Sequence, residues 1–329
     1  MLFINNKGIT DPQINLAIEE YALKNLDINE TYFLFYINEP SIIIGKNQNT
    51  IEEINTEYVE SHGIHVVRRL SGGGAVYHDL GNLNYSFITK DDGESFHNFR
   101  KFTEPVIAAL KKLGVNAQLS GRNDIEVEGR KISGNAQFST KGRMFSHGTL
   151  LLNSEMENVA SALKVKKEKI ESKGIKSVRS RVANISEFLQ KPMSIEEFRT
   201  FLLKNIFAEQ DVIPEYVLTE EDWDKIQQLS KERYQNWDWN YGKSPKFNLQ
   251  RSHRFPVGSI DIRLEVNKGI IENCKIYGDF FGVGDVSDIE IKLRGVRYEK
   301  SEIEKVLANV DASYYFGNVT KEELINLIY

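Results

Sequence analysis

The chain has 329 residues, 40% of them hydrophobic and 27% charged, with a formal net charge of −5. That is an ordinary composition for a globular enzyme with a sizeable core, and its mild acidity argues against general affinity for nucleic acid. There is no run of about 18 apolar residues to span a bilayer, no basic-then-apolar leader in MLFINNKGITDP, and a single cysteine, Cys274, which excludes an internal disulfide framework and a multi-cysteine metal site. A reducing cytoplasm fits these features.

Asp11-Pro12 is a helix start ahead of Ile14, Ala17, Ile18, Tyr21 and Ala22, an apolar stripe at helical spacing. TYFLFY (31–36) and SIII (41–44) are expected as strands around a turn at Asn38 and Pro40. HVV (65–67) is a short strand leading into RRLSGGGAVYHDLG (68–81). LNYSF (83–87) alternates like a half-buried strand. Thr103 and Pro105 are expected to open a helix carrying Val106, Ala109, Leu110 and Leu113, closed by Gly114. DIEVEGRKIS (124–133) reads as two strands turning at Glu128-Gly129, and GTLLL (148–152) as another.

From 194 the texture changes. Ser194 and Glu197 form a capping-box pattern before Phe198, Phe201 and Leu202. YQNWDWNYGKSPK (234–246) ends in a Gly-Lys-Ser-Pro turn and is expected as a domain boundary. SIDIRLEV (259–266) alternates, turns at 267–269 and returns as IIENCKIY. Two capping boxes, Ser301 with Glu304 and Thr320 with Glu323, announce helices. The tail is expected as a small α/β domain of roughly 80 residues.

Gly72, Gly73 and Gly74 raise a question, because glycine costs backbone entropy and packs nothing. They are not a P-loop, since no Gly-Lys-Ser/Thr follows. They are not the dinucleotide fingerprint, since Tyr77 stands where its third glycine belongs. Two readings remain: a glycine-rich turn between strands, or a loop whose backbone N–H groups press on an anionic or extended ligand. Arg68 and Arg69 favour the anionic version, because guanidinium matches phosphate in bidentate fashion.

Three further stretches carry chemistry. In GRNDIEVEGRKISGNAQ (121–137), Asn123-Asp124 is either a turn or part of a Mg²⁺ site, which takes a carboxylate or two with phosphate oxygens and water. Lys131, on a strand, is either solvated or poised at the small-residue segment Ser133–Ala136, where a ligand approaches easily. In FSHGTLLL (145–152), His147 is a pocket wall, a proton carrier or a satisfied structural histidine. KGIKSVRSRVANI (173–185) is a basic loop over a phosphate or a solvated linker.

Taken together, RRLSGGGAVYHDLGN, GRNDIEVEGRKISGNA, HGTLLLN and KGIKSVRSRVANI resemble the signature segments of the lipoate–protein ligases, in the family's order. INLAIEEY (14–21), IIIGKNQN (42–49) and WDWNYGKSP (237–245) match as well, so the resemblance spans nearly the whole chain. It implies an α/β fold of the α+β type: a large mixed-sheet catalytic domain of the biotin/lipoate ligase type over 1–240, then a small α/β accessory domain over 247–329. It implies a ligase that activates lipoate with ATP and Mg²⁺ to lipoyl-AMP. The lipoyl group then passes to a lysine of a lipoyl-acceptor domain, in 2-oxo acid dehydrogenase complexes or the glycine-cleavage H protein. No nucleic acid or membrane partner is implied.

The resemblance also assigns residues. Lys131 is expected to be the catalytic lysine, touching both lipoate and nucleotide. Arg69, Gly74, Ala75, Val76 and Tyr77 are expected against ATP, and Gly73, His78 and His147 against lipoate. Arg179 and Arg181 are expected in a loop over the adenylate, and Asp124 at Mg²⁺. Val67, Val76, Tyr85 and Phe87 are candidates for the apolar slot that lipoate's ring and tail require. Rival readings are an octanoyl or lipoyl acyltransferase working through a cysteine thioester, a biotin ligase, and a lipoate-binding module without catalysis.

Overall fold

The computed structural model describes residues 1–163, 181–208, 210, 212–241, 247–267 and 269–329. The chain forms two compact units: Met1–Ile43, Ile51–Arg68 and Val76–Asn240 make the first, and Ile44–Thr50, Arg69–Ala75 and Tyr241–Tyr329 the second. Among the described residues no helix is long and apolar enough to cross a membrane.

The first unit is built on a mixed eight-stranded sheet in the order β11-β1-β2-β6-β10-β9-β8-β7. Its strands are β1 (Leu2–Asn5), β2 (Tyr32–Ile37), β6 (Asn82–Lys90), β7 (Gln118–Ser120), β8 (Asp124–Val127), β9 (Arg130–Thr140), β10 (Arg143–Leu151) and β11 (Glu215–Tyr216). β1 runs parallel to β2 and β11, while β2, β6, β10, β9 and β8 pair antiparallel in turn. The β8–β9 hairpin turns at Glu128 (φ 52°) and Gly129 (φ 74°), both left-handed as the two-residue turn requires. A second sheet, in the order β4-β3-β5, consists of β3 (Ser41–Ile44), β4 (His65–Arg68) and β5 (Val76–His78). The glycine stretch therefore joins β4 to β5.

One face of the large sheet buries Phe33, Phe35, Leu83, Tyr85 and Phe87 with Val106 and Leu110 of helix Phe99–Lys112 and Phe198 and Leu202 of helix Ile195–Ile206. Tyr85 and Phe87 therefore belong to this helix-backed core, not to an open slot for a ligand tail. Helix Phe99–Lys112 starts earlier than its Thr103-Pro105 signal and carries Pro105 inside. Asn98 caps it by accepting from the Lys101 N–H at 3.3 Å. Burial of Phe99 and Phe102 adds a turn, and that outweighs the backbone bond proline cannot make.

Helix Pro12–Asn25 starts as read, with the Asp11 carboxylate accepting from the Gln13 N–H at 2.7 Å. It is tied to helix Glu220–Leu229 by Tyr21, whose hydroxyl donates to Asp222 Oδ1 at 2.6 Å, while the Tyr216 hydroxyl and the Thr219 N–H donate to Oδ2. Burial works against the charge on Asp222, but these donors hold its carboxyl below its ordinary value. A depressed carboxyl contributes stability above its unfolded-state value and loses it as pH falls through the folded one. We expect Asp222→Asn to lower Tm at neutral pH, with the gap to wild type closing as pH drops below about 4. A constant gap across a pH series of melting curves would show that charge on Asp222 contributes nothing.

In the second unit, β12 (Leu249–Phe255), β13 (Gly258–Asn267) and β14 (Ile270–Gly278) form an antiparallel sheet. Ile260, Ile262 and Leu264 share one core with Cys274, Phe280, Leu293, Leu307, Phe316 and Leu324. The sequence pointed to two helices here, and among the described residues there are four after β14: Ser287–Leu293, Lys300–Leu307, Ala312–Phe316 and Lys321–Ile328. Thr320 and Glu323 form their capping box. Ser301 and Glu304 do not: helix Lys300–Leu307 begins one residue before Ser301, whose hydroxyl donates to Glu299 instead.

Candidate active site

Lys131 lies near the start of β9, beside a bulge between Ile125 and Glu126 of β8. Its ammonium sits 2.8 Å from Asp124 Oδ1, with the two side chains 35% and 33% exposed. Both therefore keep contact with solvent. A Cβ placed on Gly134 would lie 2.9 Å from Lys131 Nζ, so the lysine is folded over bare backbone. The Lys131 carbonyl accepts from the Ala183 N–H at 2.9 Å, and Val182 bridges the same strand. An open cavity of about 550 Å³ adjoins this edge, lined by Arg130, Val182, Ser154, Asn158 and Asn184 among others.

Asn135 is the clamp behind this turn. Its backbone and side-chain N–H groups both donate to the Asn123 carbonyl at 3.0 Å, and Asn123 Nδ2 donates back to its carbonyl at 2.5 Å. Its Oδ1 accepts from the Tyr85 hydroxyl in the core. Gly148 makes room for that pair, because a Cβ there would fall 2.1 Å from Asn135 Oδ1 and 2.8 Å from the tyrosine ring. In a strand, such a glycine marks a close approach.

His147, on β10, is buried. Its Nδ1 lies 2.9 and 3.1 Å from the two carboxylate oxygens of Glu19. A carboxylate only accepts, so Nδ1 carries a proton. Burial of the pair leaves the ring a single orientation. His78 ends a chain of amides: Asn6 Nδ2 donates to Asn15 Oδ1, Asn15 Nδ2 to Asn38 Oδ1, and Asn38 Nδ2 faces His78 Nδ1 at 3.0 Å. With Asn38 Oδ1 occupied, its amide must donate, so His78 Nδ1 accepts and the neutral ring carries its proton on Nε2. Next to it, burial and then the Asp79 charge push the Tyr77 hydroxyl up to about 12, so it stays neutral.

In the second unit the glycine stretch is split in two. Arg69 is 5% exposed. Its Nε donates to Ser71 Oγ at 2.9 Å and its Nη2 to the carbonyls of Gly72 and Gly74 at 2.6 and 2.9 Å. Gly72 and Gly73 are buried, with Gly73 at φ +93°. Gly74 and Ala75 are half-buried, and among the described residues nothing lies within 4 Å of a Cβ on Gly74. Among the described residues, then, the first half of the loop is packed and Gly74 in its second half is not. The neighbouring segment from IIIGKNQN runs alongside: Lys46 N–H donates to the Ser71 carbonyl at 2.9 Å, and a Cβ on Gly45 would fall 1.9 Å from the Gly73 oxygen. Burial lowers the Lys46 ammonium, with Asp285 and Asp288 acting against that shift.

Lys131, Asp124, His147, His78, Val76 and Tyr77 lie in the first unit, and Arg69, Gly73, Gly74 and Ala75 in the second. Arg181 is half-buried, whereas Arg179 lies outside the described residues. Among the described residues no group of three or more His, Cys, Asp or Glu converges. Mg²⁺ bound with a nucleotide needs only one or two carboxylates besides phosphate oxygens, a demand that Asp124 alone can meet. Sequence reasoning missed Glu19, Asn38, Asn135 and Lys46. The signal for Glu19 was an acid inside the apolar run INLAIEEY, and for Asn135 its place between two small residues.

Comparison with known proteins matches residues 11–207 to the family "Lipoyl protein ligase A/B catalytic domain" and residues 244–328 to "Bacterial lipoate protein ligase C-terminus". Lipoate-protein ligase LplJ of Bacillus subtilis is 72% identical, with all of both chains covered. The crystal structure of P. falciparum LipL1 in complex with lipoate superposes with a TM-score of 0.78 at 26% identity, covering 99% of this chain and 96% of that one. A lipoate-protein ligase A bound with ATP gives a TM-score of 0.61 at 29% identity, covering 70% and 94%.

Proposed function

The chain belongs to the lipoate–protein ligase family, and on that premise we propose the reaction it runs and the residues that run it. Lipoate and ATP are the substrates. A lipoate carboxylate oxygen attacks the α-phosphorus, the bond to pyrophosphate breaks, and lipoyl-AMP forms. A lysine amine of an acceptor domain then attacks the acyl carbon, AMP leaves and an amide remains. Both reactants of the first step are anions, so positioned positive charge and oriented N–H donors lower the barrier.

The observation that carries this reading is Lys131, an ammonium folded over Gly134 and paired at 2.8 Å with the Asp124 carboxylate, itself about a third exposed. The pair is accessible enough to exchange that partner for the lipoate carboxylate and the α-phosphate. Gly74, Ala75, Val76 and Tyr77 offer backbone to the nucleotide, with Arg69 fixing the loop they belong to. Gly73, His78 and His147 serve lipoate, and Arg179 and Arg181 the adenylate. Mg²⁺ bound with the nucleotide adds charge neutralisation at the phosphates, with Asp124 as its protein carboxylate. Residues 1–240 carry the chemistry and 247–329 form the accessory domain. The acceptors are lipoyl domains of 2-oxo acid dehydrogenase complexes and the glycine-cleavage H protein, in the cytoplasm.

Mass spectrometry of an apo acceptor domain incubated with enzyme, ATP, Mg²⁺ and lipoate tests the reading. One lipoyl adduct that requires ATP is expected. An adduct formed without ATP, from an acylated carrier, would favour the acyltransferase. That rival needs a reactive thiolate, yet Cys274 is buried in the core of the second unit and its thiol is pushed up to about 12 by burial. Cys274→Ala is expected to transfer lipoate at the wild-type rate. Loss of transfer with intact lipoyl-AMP formation would restore the thioester route.

A further inference from the structure

Within the second unit, the segment Gly278–Gly282 that follows β14 presses on both glycine-containing loops. The Gly278 N–H donates to the Asn47 carbonyl at 2.6 Å. A Cβ on Gly72 would lie 2.4 Å from the Phe280 oxygen, and one on Gly73 would lie 2.9 Å from the Phe281 ring. The segment is itself anchored. Phe280 is in the apolar core, and a Cβ on Gly282 would fall 1.8 Å from the Tyr315 carbonyl. The N–H groups of Val283 and Gly284 both donate to the Tyr314 carbonyl, at 2.9 and 3.0 Å. On its other side, Gly73 is held at φ +93° against the Arg69 guanidinium, 3.0 Å from a would-be Cβ.

We propose that Phe280 and Phe281 are positioning residues for lipoate activation: they seat the first half of the glycine loop so that Gly74–Tyr77 present their backbone to ATP. This rests on the reading that those residues bind the nucleotide. The physical case is division of labour. Two of three consecutive glycines are consumed by packing against an anchored segment, and one faces open space. A loop rich in glycine has many conformations to lose, and a rigid neighbour removes that loss before the ligand arrives. The Phe280 carbonyl and the Phe281 ring leave no room for any side chain at 72 or 73, which accounts for the paired glycines without invoking a ligand there.

The experiment measures lipoyl-AMP formation from ATP, Mg²⁺ and lipoate, with KM for each substrate, in four full-length variants. Phe281 is buried, so Phe281→Ala is expected to melt below the wild type, and its kinetics are read at a temperature where the variant is folded. It should lower kcat/KM for ATP by on the order of a hundredfold, as a small misplacement of binding groups does, while KM for lipoate holds. Phe281→Leu should recover most of that loss. Gly72→Ala, which pushes the loop off the Phe280 carbonyl, should reproduce it. Unchanged ATP kinetics in Phe281→Ala and Gly72→Ala overturn the proposal, and so does a fall in KM for ATP, which would mean that the ring holds the loop shut. Gly74→Val tests the underlying reading separately. It fills open space without touching the segment and should abolish activation; if it is inert, the nucleotide is bound elsewhere.

Discussion

Lys131→Met should lower the rate of lipoyl-AMP formation by on the order of a hundredfold to a thousandfold, the usual cost of one lost electrostatic donor in a preorganised site. Methionine keeps an unbranched stem and removes the ammonium. Stability should hardly change. The ion pair with Asp124 is a third exposed, and such pairs contribute only about 0–1 kcal/mol once solvent screening is counted. Lys131→Arg should fare little better than methionine. The ammonium already lies within 2.9 Å of a Cβ position on Gly134, and a planar fork needs more room than a compact ammonium. Activation and transfer from supplied lipoyl-AMP must be assayed separately, beside a melting curve. Near wild-type activation in Lys131→Met would leave Lys131 as a solvated strand residue and move the chemistry elsewhere.

Arg69→Lys should be nearly as damaging, and for a different reason. If Arg69 acted as a charge at the phosphates, lysine would preserve much of its effect. In the structure its guanidinium is buried and bonds Ser71 Oγ and the carbonyls of Gly72 and Gly74 at once. A single ammonium cannot span those three acceptors in one plane. Each buried acceptor left without a donor costs about 1–3 kcal/mol, so the loop should lose its shape, Tm should fall, and activation should drop by on the order of a hundredfold. Raising ATP should not restore kcat. An Arg69→Lys enzyme with wild-type melting and only a raised KM for ATP would return Arg69 to the role of a phosphate-facing charge.

Some of this molecule is legible residue by residue. The Asp11-Pro12 helix start, the Glu128-Gly129 hairpin, the Ser194 and Thr320 capping boxes and the burial of Cys274 follow from local rules, because a cap, a turn or an apolar alternation is decided within a few residues. The family follows from seven segments along the chain. Where local rules failed, long-range packing overrode them. Pro105 sits inside a helix because Phe99 and Phe102 are buried. Ser301 caps nothing because its helix starts one residue earlier.

The sequence by itself determined many of the strands, caps and turns and the family, and it singled out a strand lysine, a bare loop and a nearby carboxylate for the proposed chemistry. Tertiary structure alone decided what each of them faces. It turned Arg69 inward onto its own loop, set Glu19 against His147 across 128 positions of chain, and gave Gly72 and Gly73 to Phe280 and Phe281 more than 200 residues away. Periodicity reports which side of an element is apolar, because that depends on spacing along one segment. It carries no information about which distant segment covers that side, and the partner sets whether a glycine or an arginine serves packing or a ligand.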